Sequence, residues 1–264
     1  MIMKLEVITK LPTEKKHATP LLFVHGAWHG AWCWENFLPY FAEHGFEAHA
    51  LSLRGHGNSE GQEGLRWHSA VNGYVPDVEQ VVNKLGRTPV IIGHSMGGYV
   101  AQKYLETHVA PAGVLLASIP VSGIFMMMMR FLHRRPSATL KTLFLLNPWY
   151  MVNKPELVKE AFFSDDFPDS EFERLFPHIQ SESFRMAMEA LLFRLPRPHK
   201  VKTPILVLAA ENDRVFTLTE ERATAKAYET EVVIFPDMAH DMMLERDWQL
   251  VADKILQWLK EREL

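Results

Sequence analysis

The sequence predicts an α/β fold, a mostly parallel, doubly wound sheet with a helical cap inserted near its carboxyl edge. Three features carry that expectation. Short apolar runs recur along the chain, helix-like stretches separate them, and residues 121–199 break the rhythm without a clear strand. Strands that read as continuous apolar runs belong to a parallel sheet, because helical crossovers cover both of its faces.

Taken in order, Met3 to Thr9 alternates and predicts an edge strand. Leu21-Leu22-Phe23-Val24 is the first uninterrupted run and ends in His25-Gly26. A helix-like stretch from Glu35 to His44 is closed by Gly45, a residue suited to the left-handed turn after a helix, and a strand over Phe46 to Leu53 follows. The remaining strands are Val90 to Ile92, Gly113 to Ile119, Ile205 to Ala209 and Val232 to Phe235, with a helix from Tyr99 to Glu106 after the first of them. Leu250, Val251, Ile255, Trp258 and Leu259 recur at helical spacing and predict an amphipathic closing helix over Asp247 to Leu259. The interrupting segment holds seven of the sixteen prolines and helix-like pieces rich in Met, Phe and Leu. The expected division is a core of residues 1–120 and 200–264, with 121–199 as a helical cap.

A chain of 264 residues suits one large α/β domain or a domain with an insertion. With 47 % apolar and 23 % charged residues and a formal net charge of −4, it has the composition of a globular protein. No basic excess points to nucleic acid or an anionic membrane. The single cysteine, Cys33 between Trp32 and Trp34, rules out an internal disulfide framework and reads as a small packed hydrophobe. The amino terminus lacks a signal peptide's apolar core, and the longest apolar run, Ile124 to Met129, is too short to span a bilayer. A cytoplasmic protein without membrane insertion is the expectation.

Gly93-His94-Ser95-Met96-Gly97 is the most informative stretch. A strand-like run precedes it and a helix-like run follows, the context in which G-x-S-x-G becomes a nucleophile elbow. A serine hydroxyl is a poor nucleophile at neutral pH; it needs a general base, and the base needs an orienting acid. In this arrangement the partners follow in the order acid, then histidine, each beyond the carboxyl end of a later strand. Asp213 lies just after Ile205 to Ala209, and His240 lies between the last strand and the last helix. Glu211, Asp237 and Asp241 are neighbouring rivals for the acid, but Asn212-Asp213-Arg214-Val215 has the expected turn. The oxyanion needs backbone donors already in place, each worth about 2.7–4 kcal/mol. Met96 is the donor after the nucleophile, and Ala27 in the loop after Val24 is the other, with Trp28 as the second candidate.

With these pieces the chain resembles the α/β-hydrolase fold superfamily. The matching residues are His25-Gly26, Arg54-Gly55-His56-Gly57-Asn58-Ser59, Gly93 to Gly98, Asp213 and His240. More narrowly, His25 to Trp34 resembles the plant methylesterase and hydroxynitrile lyase branch and the small bacterial esterases related to it. That resemblance implies a cofactor-free carboxylesterase acting on a small-molecule ester. Met96 stands where those lyases have cysteine, and no lysine accompanies His240 or Asp213, so the esterase side is favoured over the lyase.

Other activities of the same triad are a lactonase, a thioesterase or a C–C hydrolase, and a non-catalytic receptor is the alternative outside enzymes. Epoxide hydrolases and haloalkane dehalogenases of this fold use an aspartate nucleophile where Ser95 stands. Metal chemistry has weak support, since His25 and His29 share a loop and no H-E-x-x-H pattern occurs. His25 is expected to brace its loop and Arg54-Gly-His-Gly to form a structural turn. Phe125, Met126 to Met129, Phe131, Leu145, Leu146 and Trp149 are candidates for core packing of the cap or for lining an acyl pocket.

Overall fold

A computed structural model describes residues 3–264. Its elements are β1 (Val7–Lys10), β2 (Leu21–Val24), α1 (Phe37–Glu43), β3 (Ala48–Leu51), α2 (Val75–Leu85), β4 (Val90–His94), α3 (Met96–Leu105) and β5 (Gly113–Leu116). The helices α4 (Phe125–Arg134), α5 (Pro136–Leu145), α6 (Pro155–Phe162), α7 (Asp169–Leu175) and α8 (Phe184–Met188) follow before β6 (Ile205–Ala210). The chain closes with α9 (Leu218–Ala227), β7 (Val232–Phe235) and α10 (Trp248–Lys260).

The strands form one seven-stranded sheet in the order β1-β3-β2-β4-β5-β6-β7. Only β1 runs antiparallel to its neighbour; the other pairings are parallel. The central strands are buried along their whole length, whereas β1 and β7 at the two edges are partly exposed. This is why β2, β4, β5 and β6 read as continuous apolar runs. Helices flank the sheet, with α1 packed on α10 and α2 on α3.

Local chemistry accounts for several boundaries. Thr217 and Glu220 form a reciprocal capping box that starts α9. Gly86 adopts a left-handed conformation and stops α2. The first strand is shorter than its alternation predicts. Lys4 N–H and Glu6 N–H donate to the Glu60 carboxylate and the Ser59 hydroxyl, and Glu60 N–H donates to the Lys4 carbonyl. Those residues are tied to the Ser52–Glu60 loop instead of a strand neighbour.

The turn from β4 into α3 is the tightest part of the fold. A Cβ on Gly97 would lie 2.1 Å from the Val24 carbonyl oxygen and 2.5 Å from that of His25. Gly97→Ala is therefore expected to cost about 2–3 kcal/mol of unfolding free energy, because backbone must move to admit the methyl. Gly86→Ala meets nothing within 4 Å and carries only the left-handed penalty of about 1 kcal/mol. Urea denaturation of the two variants checks the order, and an equal cost would refute the close-packing account.

Candidate active site

Ser95 occupies the β4–α3 turn with φ 50 and ψ −116. A non-glycine residue at positive φ is strained, and the surrounding structure must over-determine it. Here Ser95 N–H donates to the Leu116 carbonyl, and the Ser95 carbonyl accepts from Tyr99 and Ile119. The turn is thus clamped to the end of β5.

Asp213 follows β6 and His240 follows β7. His240 Nδ1 donates to Asp213 Oδ2 at 2.8 Å, and both side chains are buried. Asp213 Oδ1 accepts from Val215 N–H at 2.6 Å and Phe216 N–H at 3.0 Å, so the carboxylate is oriented through both oxygens. Phe162 and Phe216 pack against the His240 ring, with centroids 5.7 and 5.6 Å away. Ser95, His240, Met96, Ala27 and Trp28 line one cavity enclosing about 860 Å³ of space not filled by atoms, part of it open to solvent. Asp213 stands behind His240, outside that wall. Among the described residues no hydrogen bond joins Ser95 to His240. With Nδ1 engaged, Nε2 is the nitrogen left to take a proton.

Among the described residues neither the Ala27 nor the Met96 N–H donates to a protein acceptor. Trp28 N–H, the second candidate, donates to Glu182 Oε2 at 3.4 Å. The loop carrying Ala27 is held by histidines. His25 Nδ1 donates to the Gly26 carbonyl at 2.8 Å while its Nε2 accepts from Leu53 N–H at 3.1 Å, which is the bracing expected of it. Burial, with His56 close by, holds the His25 pKa well below its ordinary value, as this neutral pattern requires.

His29 Nδ1 donates to the Ala27 carbonyl at 2.7 Å, and its Nε2 donates to Asp241 Oδ2 at 2.9 Å. Burial opposes charge on both partners, yet their mutual attraction and hydrogen bond raise the His29 pKa and lower that of Asp241. Asp241, a rival for the acid in sequence, therefore braces the loop that carries Ala27. His94 Nε2 donates to the His240 carbonyl at 3.0 Å, and burial pushes its pKa down to about 3. His94, His240 and Asp241 place potential ligand atoms within 4.8 Å of one another. His240 Nδ1, His94 Nε2 and Asp241 Oδ2 have protein partners, while His94 Nδ1 and Asp241 Oδ1 are buried without one among the described residues, so hydrogen bonding accounts for only part of the cluster.

Glu182, in the segment between β5 and β6, was not legible in the sequence. It lines the cavity and accepts from His56 Nε2, Tyr74 Oη, Ser183 N–H and Trp28 N–H. Burial alone would raise its pKa; the His56 contact and the donors lower it instead. Thus the turn containing His56 is structural, but it orients a carboxylate of the cavity wall.

Part of the expected apolar lining needs correction. Met127, Met128 and Phe131 line the cavity, joined by Ile124, Leu143, Met151 and Phe162. Phe125, Met126, Met129, Leu145 and Leu146 are exposed, and Trp149 lies outside the wall. Residues 124, 127, 128 and 131 share one face of α4 and its entry; 125, 126 and 129 lie on the other. Cys33 is fully buried, as expected of a packed hydrophobe.

Residues 21–254 match the Alpha/beta hydrolase family. The chain belongs to that family. A putative chloroplastic methylesterase of Arabidopsis thaliana is 30 % identical over 108 residues, 39 % of this chain and 27 % of the relative. A non-heme chloroperoxidase of Burkholderia pyrrocinia is 32 % identical over 120 residues, 44 % of this chain and 41 % of the relative. The alignments thus span less than half the length of these curated relatives. A thermophilic esterase from Thermogutta terrifontis has the same fold, with a TM-score of 0.78, 19 % identity, and 99 % of this chain and 95 % of that one covered.

The His29–Asp241 pair has a definite pH signature. A raised His pKa contributes stability that is complete below its unfolded value and lost as pH rises through the folded one; a lowered Asp pKa contributes above its unfolded value and is lost as pH falls through the folded one. The full contribution lies between about pH 4 and about pH 6.5. Asp241→Asn is expected to cost about 3 kcal/mol in that window and less at about pH 9. Urea titrations at the two pH values check it; a cost independent of pH would show that the pair carries no charge.

Proposed function

We propose that this protein is a serine hydrolase of carboxylic esters, with Ser95 as nucleophile, His240 as base and Asp213 as orienting acid. The reading rests on one observation above others: His240 is hydrogen-bonded to Asp213 at 2.8 Å and shares with the strained Ser95 the wall of one mainly apolar cavity. The methylesterase similarity supports an ester as the bond cleaved.

In the proposed cycle Ser95 Oγ attacks the acyl carbon as its proton passes to His240 Nε2. The oxyanion is met by the Ala27 and Met96 N–H groups, preorganised by the loop and by the start of α3. His240 then protonates the departing alcohol, leaving an acyl ester on Ser95. Water enters, gives a proton to His240 and attacks the acyl carbon; the acid leaves as Ser95 recovers its proton. Asp213 keeps Nδ1–H in place and balances the imidazolium. Residues 121–199 act as a cap over the core of 1–120 and 200–264, and their apolar wall favours an apolar acyl or alcohol part. Burial and the nearby Asp213 carboxylate push the Glu221 pKa well up, so this carboxyl adds no second negative charge behind the acid.

Ser95→Ala is expected to lower p-nitrophenyl acyl ester turnover by about 10⁴-fold or more, and His240→Ala by a similar factor, since such residues act as a unit. A fluorophosphonate probe should leave its adduct on Ser95, read by mass spectrometry of the peptide. Retained turnover in Ser95→Ala, or no adduct, would remove the assignment.

A further inference from the structure

The cavity wall holds a cation that the proposed acyl chemistry does not use. Arg135 lies where α4 breaks into α5, with φ −137 and ψ 59 ahead of Pro136. A residue before proline is driven out of the helical region, so the break follows from the sequence Arg135-Pro136. Arg135 is 8 % exposed and lines the cavity. Its Nη2 meets Glu160 Oε2 at 2.8 Å, but that side chain is 49 % exposed to solvent. Its Nε and Nη1 are buried without a hydrogen-bond partner among the described residues. Thr142, on α5 and 5 % exposed, lines the same cavity, and its Oγ1 is buried without a partner as well.

A guanidinium keeps its proton in proteins, and buried donors left unmade are costly. Such groups persist where something else supplies the acceptor. The remainder of the wall offers none: apart from Ser95 and His240 it is chiefly aliphatic, aromatic and methionine side chains, and Glu182 is already satisfied by four donors. Glu182 also sets the polarity of the cavity. It accepts from Trp28 N–H beside Ala27, so negative charge sits on the oxyanion-loop side, while Arg135 places positive charge on the wall built by α4 and α5.

We propose that Arg135 and Thr142 bind a carboxylate carried at the end of the substrate's apolar chain remote from the scissile ester, which makes half-esters of dicarboxylic acids the substrate class. This rests on Ser95 as the nucleophile at the other end. A carboxylate brings two acceptor oxygens to the guanidinium and the hydroxyl, whereas a hydrocarbon chain end leaves all three polar atoms unpaired. Repulsion from Glu182 orients the ligand with its anionic end toward Arg135.

The test compares monomethyl adipate with methyl hexanoate, which differ in a terminal carboxylate against a methyl. Calorimetric binding to Ser95→Ala, which cannot turn either over, should favour the half-ester by about tenfold or more. Adding Arg135→Met should bring the two affinities within about twofold, and Arg135→Lys, which keeps the charge and loses the planar donors, should fall between. Thr142→Val should remove a smaller part of the preference. Equal affinities in Ser95→Ala, or a preference that survives Arg135→Met, would overturn the proposal. Should Arg135→Met not fold, an unchanged preference in both Arg135→Lys and Thr142→Val overturns it instead. Turnover by the wild-type protein is read separately. Preferential binding with no hydrolysis of either ester would remove the hydrolase reading and support the carboxylate site; hydrolysis without preference would do the reverse.

Discussion

The close approach of α3 to the end of β2 is the constraint on which the rest depends. Gly97 packs against the Val24 and His25 carbonyls so tightly that no side chain fits, and a Cβ on Gly93 would lie 2.4 Å from the Gly97 carbonyl oxygen. Contact at this range lets the chain reverse from strand to helix within one residue. Ser95 absorbs the strain at φ 50, and backbone hydrogen bonds to Leu116 at the end of β5, from Ile119 just beyond it and from Tyr99 on α3 hold it there. The same packing sets the amino end of α3 against the loop that carries Ala27. The elbow and the candidate oxyanion donors are therefore one structural unit.

Around that unit, buried histidines do the positioning. His25 joins its loop to Leu53, His29 joins it to Asp241, His94 joins the elbow to the His240 backbone, and His56 joins the Arg54–Gly57 turn to Glu182. A ring with two nitrogens can satisfy two buried partners, and its protonation state adapts to whether those partners are carbonyls, amides or carboxylates. Burial, with His56 close by, holds the His25 pKa low; His29 is raised, against its burial, because Asp241 is charged and both of its partners accept. Loops built this way are rigid without regular secondary structure, which is what preorganised donors require.

The helices between β5 and β6 contribute shape and charge. Their mostly apolar inner face lines the cavity, Phe162 packs on His240, and the break at Arg135-Pro136 places a guanidinium in the same wall as Thr142 and Glu182. Phe144 and Phe193, in contrast, are exposed on the outside of the same segment. Amphipathic helices with apolar residues on both faces explain why composition alone overstated the pocket.

The sequence by itself determined the sheet, the elbow, and the positions of Asp213 and His240 relative to their strands. These are local facts: continuous apolar runs report burial on both faces, glycines report backbone crowding, and strand ends report where a sheet presents side chains. Boundaries came within a few residues except at β1, where hydrogen bonds to a distant loop took the place of strand pairing. The turn after β6 already favoured Asp213 as the partner of His240; tertiary structure alone decided that Asp241 pairs with His29, because that contact joins segments more than two hundred residues apart. It also decided the contacts of Glu182 and Phe162 and the placing of Arg135 and Thr142 in the cavity wall. Glu182 and Phe162 gain their meaning from contacts with segments far apart in the chain, and such contacts leave no periodicity or motif behind.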